Sequence, residues 1–209
     1  MAFRFFEQLV HPFPDKQPRR APTSVLRFCR HHSRGLEPWL IAMSLLSMGI
    51  AIIEVALFEV LGQGVDLLST TTPETIFAAG GRSLLWLMLG LLSAFPFMVA
   101  LQSLILHQTL MGNFPMIVRW MAHRYLLRQS LGFFQDEFSG RVATRVMQTA
   151  LAVRSVVLIT LDILVYVAVY FLSVLFLLGS IDPRLALPLF IWLLIYVLIL
   201  KTLLPRMHR

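Results

Sequence analysis

The sequence predicts an all-α membrane protein in which four helices cross the bilayer. Of its 209 residues, 57% are hydrophobic and only 14% are charged, and the mean hydropathy is +0.76. Soluble domains are near half apolar and about a quarter charged. Four apolar runs are each long enough, at about 1.5 Å per residue, to cross a hydrocarbon core of about 30 Å. The predicted spans are Trp39 to Leu61, Ser83 to Leu106, Val156 to Gly179 and Leu185 to Leu204.

The segment before the first span, residues 1–36, is predicted to be an N-terminal arm. Its first 23 residues are rich in proline and basic side chains, which favours an irregular or weakly ordered chain. From Ser24 to Arg34 apolar residues alternate with arginines, a pattern typical of a short amphipathic helix on a membrane surface. Because 38 residues precede the first span, that span starts too late for a signal peptide and should stay in the protein.

Three residues of this arm raise the question of a disulfide or a metal site. Cys29 is the single cysteine, so it offers no disulfide framework. His31 and His32 have no carboxylate or thiolate partner at ligand spacing. We therefore expect neither a metal site nor a cofactor in this chain.

The distribution of positive charge predicts the orientation of the four spans. Sixteen of the 18 Lys and Arg residues lie before the first span, between the second and third, or at the C-terminal end; only Arg82 and Arg184 occupy the other two loops. By the positive-inside rule, both termini and the long middle segment are cytoplasmic. The net charge of +7 then reflects topology and attraction to anionic lipids rather than nucleic-acid binding.

The middle segment, residues 107–155, is predicted to form an ordered cytoplasmic hairpin. We expect the second helix to run without a break from Ser83 to about Gly132, which would carry it roughly 45 Å beyond the bilayer core. Pro96 and Pro115 should kink this helix rather than end it, because the apolar pattern resumes after each.

At the tip of the hairpin, Ser139 is the predicted N-cap of the returning helix and Gly140 permits a tight change of direction. The returning helix should be amphipathic, with a polar face and a neighbouring aliphatic face. The polar face comprises Arg141, Arg145 and Gln148, and the aliphatic face comprises Val142, Val146, Thr149 and Val153. The connector Phe133 to Phe138 places three aromatic rings beside Asp136 and Glu137, so it forms an amphipathic knob.

The hairpin also carries a family resemblance. The string FFQDEFSGRVATRVMQTALAVR, which starts at Phe133, resembles the first intracellular loop of the transmembrane domain of exporter-type ABC transporters. RWMAHRYLLRQSLGFF, which starts at Arg119, resembles the stretch that precedes this loop in the same family. The resemblance covers roughly Trp39 to Arg209.

This resemblance implies half of an ATP-driven transporter of a bacterial inner (plasma) membrane, usually an exporter. Such a half has six membrane helices joined to an ATPase domain, which binds ATP and Mg, and it pairs with a second half as a homodimer or heterodimer. The first intracellular loop is a coupling helix that docks in a groove of the ATPase domain. The residues carried over to this contact are Phe133, Phe134, Gln135, Asp136, Glu137, Phe138, Ser139 and Gly140.

The sequence departs from the family in two ways. Only four of the six spans are present, and no G-x-x-x-x-G-K-[ST] phosphate loop occurs in it. We therefore expect residues 37–209 to be a partial transmembrane domain without a nucleotide-binding domain, from a truncated chain that is not an enzyme by itself.

Acidic residues within the spans are candidates for a translocation path. Glu54 is the candidate, because a carboxylate in a bilayer is costly unless it faces water or a partner. Glu59 and Asp162 are predicted to be interfacial and solvated. The alternative function is a non-transporting tetraspan scaffold or assembly protein whose hairpin binds another soluble partner.

Overall fold

All regular structure that the chain shows is helical. The computed structural model describes residues 6–14, 22, 24–70, 80–136 and 139–207, without the side chains of residues 131, 135, 136, 139 and 203–207. No strand occurs within these ranges. The predicted all-α membrane fold is confirmed, since four helices are long and apolar enough to cross a membrane.

The main elements along the described ranges are eight α-helices and two π-helical turns, and residues 6–8 and 80–81 are also helical. The α-helices are α1 Val25–His32, α2 Glu37–Thr70, α3 Arg82–Leu104, α4 Asn113–Leu126, α5 Leu131–Asp136, α6 Ser139–Ile159, α7 Val165–Ile181 and α8 Pro183–Met207. The π-helical turns are π1 Ile105–Leu110, between α3 and α4, and π2 Thr160–Leu164, between α6 and α7. The turn from α1 into α2 uses Gly35 at a φ of +99°, which side chains other than glycine rarely adopt.

The second long helix differs from its prediction. Its path continues from Arg82 only to Leu126, so the predicted end at about Gly132 is wrong. A π turn and a short turn at Met111 and Gly112 lie within that path. Pro115 is the third residue of α4, where the backbone nitrogen has no intrahelical acceptor, so proline begins a helical segment there rather than kinking one. Pro96 lies inside α3, and the helix continues past it.

The chain forms two compact units. The first unit comprises residues 1–50 and 93–166, and the second comprises residues 51–92 and 167–209. In the first unit α4 packs along α6, and α1 packs on α6. Its buried core consists of Val10, Leu36, Leu40, Met43, Ile105, Leu110, Phe114, Ile117, Val118, Ala150, Val153, Val157 and Leu158.

In the second unit, most large apolar side chains are exposed on the surface of the protein. Trp86 is 69% exposed and Phe176 is 80% exposed. The helices α7 and α8 contact through aromatic rings: Phe171 stacks on Trp192 with centroids 6.2 Å apart. Trp192 in turn stacks on Tyr196 at 5.6 Å.

The described part of the N-terminal arm, residues 6–14, is packed rather than weakly ordered, although its backbone is irregular after residue 8, as the sequence predicts. Val10 belongs to the core of the first unit and is only 6% exposed. The Phe13 ring meets Trp120 edge-on, with centroids 5.3 Å apart.

Side chains of π1 and α4 hold this arm by its backbone. Four of them donate hydrogen bonds to its carbonyl oxygens: Thr109 to Phe6 (3.0 Å), Asn113 to Glu7 (3.2 Å), and both Trp120 and Arg124 to Pro14 (3.2 and 3.3 Å). An irregular segment has no helix partners for its carbonyl groups, and side-chain donors replace them here. Composition could not reveal this, because the donors lie about a hundred residues further along the chain.

Candidate functional site at the hairpin tip

The predicted coupling segment begins with the short helix α5, which places two aromatic rings at the tip of the hairpin. Ser130 starts this helix: the Phe133 amide donates to the Ser130 carbonyl oxygen at 3.1 Å, and the Ser130 hydroxyl oxygen lies 3.4 Å from the same amide. Phe133 and Phe134 meet edge-on with ring centroids 5.3 Å apart. Their exposed fractions are 36% and 45%, so both rings are available to a partner.

The remaining residues of the predicted coupling segment are described unevenly. The backbones of Gln135 and Asp136 belong to α5, but their side chains are outside the described part. Glu137 and Phe138 lie entirely outside the described residues. The helix α6 begins at Ser139, so Ser139 is the first residue of the helix rather than the N-cap that the sequence predicts, and its side chain is not among those described.

Gly140 does not make the turn that the sequence predicts for it. It is the second residue of α6, with a φ outside the left-handed region, and a Cβ atom there would meet nothing within 4 Å. Its carbonyl oxygen accepts a hydrogen bond from the Thr144 hydroxyl at 2.8 Å, as in an ordinary helical turn. Gly140 is therefore open to substitution by alanine.

The helix α6 is amphipathic, with one residue misassigned. Arg141, Arg145 and Gln148 are exposed, as predicted. On the aliphatic face Val153 is buried, and Thr149, which was predicted to pack, is exposed. Ala150 is fully buried in its place, because at about 100° per residue the packed stripe passes through either the third or the fourth following position.

A groove of about 340 Å³ lies at this end of the hairpin, and we call it the hairpin groove. Its walls come from α4, α5 and α6, and the lining residues are Arg119, His123, Leu126, Phe134, Val142, Ala143, Val146 and Met147. Six of these eight side chains are apolar, and the two basic ones both come from α4. The hairpin groove can therefore take an apolar side chain beside an acidic one.

Arg119 is the polar side chain in this groove that has an unsatisfied hydrogen-bond donor among the described residues. Its Nε atom is buried and has no hydrogen-bond acceptor in the described structure. Its Nη1 atom lies 3.9 Å from the Met116 sulfur, which is a weak acceptor. A buried donor without a partner costs about 1–3 kcal/mol, so such groups commonly mark a place where a partner belongs. The sequence does not single out Arg119, since the groove that it lines forms only when α4, α5 and α6 come together.

The two acidic residues of the first span, Glu54 and Glu59, lie in different surroundings. Glu54 is half-buried. Glu59, by contrast, lines a groove of about 530 Å³ in the second unit, together with Ser173 and Ser180. The Glu59 carboxylate accepts a hydrogen bond from Gln63 at 3.4 Å. The translocation role of Glu54 stays a prediction.

Asp162 is half-buried and has hydrogen-bond partners within the protein, and its predicted position at the membrane interface stays a prediction. Its Oδ1 atom accepts hydrogen bonds from Ser47 at 2.5 Å and from Gln102 at 2.9 Å. These donors belong to α2 and α3, so protein groups rather than water satisfy this oxygen.

Comparison with known proteins identifies the family. The model for the ABC transporter transmembrane region matches residues 40–209. The chain belongs to this family. It is also similar to an uncharacterized ABC transporter ATP-binding protein of Haemophilus influenzae, with 38% identity over 207 residues. That match covers 99% of this chain and 34% of the relative, so the chain spans about a third of the relative's length. No solved structure matches the chain.

The family confirms the resemblance that the hairpin motif indicated. The chain is therefore an integral membrane protein and the membrane part of an ABC transporter. The matched region is the transmembrane region of this family.

Proposed function

We propose that this chain is the membrane part of an ATP-driven exporter and that its hairpin receives the movements of an ATPase domain. Phe133 to Gly140 form the contact, and the hairpin groove behind them accepts an acidic and apolar part of the same partner. The observation that carries this proposal is the Arg119 guanidinium, whose Nε has no partner among the described residues, in the same groove as the exposed Phe134 ring of α5. The name of the Haemophilus influenzae relative, an ATP-binding protein about three times as long, supports an ATPase partner.

The orientation that this function needs agrees with the charge distribution. Sixteen of 18 basic residues fall on the side of the termini and the hairpin, which makes that side cytoplasmic in a bacterial inner membrane. ATP and Mg are then bound by the ATPase domain on that side. Two halves, identical or different, form the complete path, and Glu54 is the residue of α2 that we assign to it.

Site-directed cross-linking tests the contact at the tip. Cysteine replaces Asp136 in a Cys29→Ser background, and the chain is expressed together with its ATPase domain in membranes. We expect an adduct between position 136 and the ATPase domain whose yield changes with ATP. The matched control is Arg184→Cys, which lies in the turn on the opposite side of the predicted topology and should give no adduct. A folded, inserted protein that cross-links only to some other soluble protein would favour the scaffold function instead.

The hairpin groove has its own test. Arg119→Met keeps an apolar lining but removes the donor, whereas Arg119→Lys keeps the charge and loses the fork of N–H groups. A hydrogen bond to a charged group contributes about 1.5–3 kcal/mol, so Arg119→Met should weaken ATPase docking roughly tenfold or more. The control is Arg145→Met, an exposed arginine on α6 outside the groove. Equal docking by the Arg119 and Arg145 variants would exclude the groove from the contact.

A further inference from the structure

Three polar side chains from three helices meet inside the first unit, and we call them the polar tie: Ser47, Gln102 and Asp162. The Asp162 Oδ1 atom accepts both hydrogen bonds, at 2.5 Å from Ser47 and 2.9 Å from Gln102. Ser47 is 2% exposed. A second link joins the same helices, since the Ser44 hydroxyl donates to the Leu161 carbonyl oxygen at 3.1 Å.

The helix that leads into the hairpin and the helix that leads out of it each contain a π-helical turn beside the polar tie. Gln102 lies in the last turn of α3, immediately before π1, and Asp162 is the third residue of π2. A π turn adds one residue to the helix and rotates the side chains that follow, and such turns are frequent at functional sites. The irregular winding at π2 thus coincides with the residue that makes the inter-helix hydrogen bonds.

The carboxylate of the polar tie needs hydrogen-bond donors. All three residues fall within predicted spans, where a carboxylate is costly unless its oxygens are satisfied. The 2.5 Å separation from Ser47 is typical of a charge-assisted O–H···O bond. Ser47 also lies 3.0 Å from the Met43 carbonyl oxygen, but its single hydroxyl hydrogen has the shorter contact with Asp162.

Apolar packing alone would not fix the position of these helices along one another. Contacts between methyl groups lose little energy when helices slide by an ångström, whereas a hydrogen bond is lost over that distance. The polar tie therefore sets the register between the N-terminal half of α2 and the two helical segments that join the hairpin, α3 and π2.

We infer that Asp162 is a positioning residue for transport: through Ser47 and Gln102 it makes α2 follow a displacement of the hairpin. This role rests on the proposed coupling function, because it begins where the ATPase has already moved the hairpin. Without the tie the hairpin still moves, but α2 no longer follows it.

The experiment uses the full transporter with its ATPase domain, reconstituted in vesicles, in a Cys29→Ser background. Spin labels are placed at Gln148, which is exposed on the hairpin, or at Leu45, which is 55% exposed on α2. In the otherwise unchanged protein both labels should change mobility on addition of ATP. In Asp162→Leu the Gln148 label should respond as before, and the Leu45 response should fall at least about fivefold, since losing hydrogen bonds to a charged group shifts an equilibrium roughly tenfold.

Matched variants distinguish a loss of the positioning role of Asp162 from a loss of folding. Asp162→Asn keeps an acceptor oxygen for both donors and should restore most of the Leu45 response. Gln102→Leu removes one of the two bonds and should give an intermediate response even if Asp162→Leu fails to fold. Asp182→Asn, an acid at the start of α8 whose carboxylate accepts from the Arg184 amide at 2.9 Å, should change neither label.

Two outcomes would overturn the inference in distinguishable ways. If Asp162→Leu or Gln102→Leu leaves the Leu45 response intact while Gln148 responds, the coupling function stands and the role of Asp162 is wrong. If Gln148 does not respond to ATP in the unchanged protein, the proposed coupling itself is wrong, and the role of Asp162 falls with it.

Discussion

The two units of this chain differ in how far their large apolar side chains are buried. In the first unit Phe114 is completely buried, whereas in the second Phe176 is 80% exposed. The helix α2 contributes to both units: its Met43 is fully buried, and its Phe58 is 58% exposed. Apolar surface that faces lipid needs no burial inside the protein, whereas apolar surface that faces water does. The difference teaches that the first unit is stabilised by its own core, while the apolar surface of the second requires a membrane.

The largest effect should come from the centre of the first core. Phe114→Ala removes a fully buried ring, and such truncations cost about 3–5 kcal/mol. Unfolding in mixed micelles with increasing dodecyl sulfate measures the change. Phe176→Ala, the same substitution at an exposed position, should change the free energy of unfolding by less than about 0.5 kcal/mol. Equal losses of unfolding free energy at both positions would contradict this difference between the units.

A smaller effect should follow from breaking the aromatic contact of the second unit. Trp192→Leu removes the stacks on Phe171 and Tyr196, and aromatic pairs contribute about 0.5–1.5 kcal/mol beyond their buried area. Trp86→Leu is the control, since Trp86 is 69% exposed on α3. The same micelle titration compares the two variants. A Trp192 variant as stable as the Trp86 variant would mean that α7 and α8 are held only by lipid.

The attachment of the N-terminal arm should be weakened by a subtler change. Trp120→Phe keeps an aromatic ring for Phe13 and removes the indole N–H that donates to the Pro14 carbonyl oxygen. One neutral hydrogen bond contributes about 0.5–1.5 kcal/mol. Limited proteolysis of the arm should therefore become several-fold faster. Arg128→Gln, which changes an exposed arginine after α4, should leave the cleavage rate unchanged; accelerated cleavage in that variant would point to a general charge effect.

The smallest expected effect is a pH dependence at α1. Burial lowers the pKa of His32 below its ordinary value of 6.5, although the hydrogen bond to the Phe28 carbonyl oxygen opposes this shift. The unfolded chain then binds the proton more readily than the folded chain, so the stabilising contribution is present above about pH 6.5 and is lost as the pH falls below it. His32→Gln should flatten this part of the pH profile of unfolding. A profile that stays unchanged in His32→Gln would assign the dependence to other groups.

The parts of the fold that could be predicted from the sequence are those with local causes. Four long apolar runs define the membrane helices because each must satisfy its own backbone in lipid. The motif that starts at Phe133 indicated the family for a similar reason, since the order of aromatic, acidic and basic residues is a property of one continuous segment. The exposed face of Arg141, Arg145 and Gln148 followed from helical periodicity alone.

The wrong predictions share a dependence on distant residues. The arm at residues 6–14 was expected to be weakly ordered from its composition, and its donors, such as Trp120 and Asn113, lie on another helix. The partners of Asp162 were not foreseen, because nothing near it in sequence reveals Ser47 or Gln102. Arg119 was not considered, since its buried Nε becomes apparent only when α6 packs along α4. Gly140 was assigned a turn from its residue type, whereas the backbone at that position is helical.

By itself, the sequence determined the all-α membrane fold, the four spans and the family, because hydropathy, helical period and a contiguous motif are written along the chain. Only the tertiary structure decided what the hairpin is attached to: a core around Phe114, an arm bound through its carbonyl groups, and a carboxylate shared by α2, α3 and π2. Hydrogen bonds act over about 3 Å, whereas the residues that make these are 60 to 115 positions apart in sequence, so folding alone brings them together.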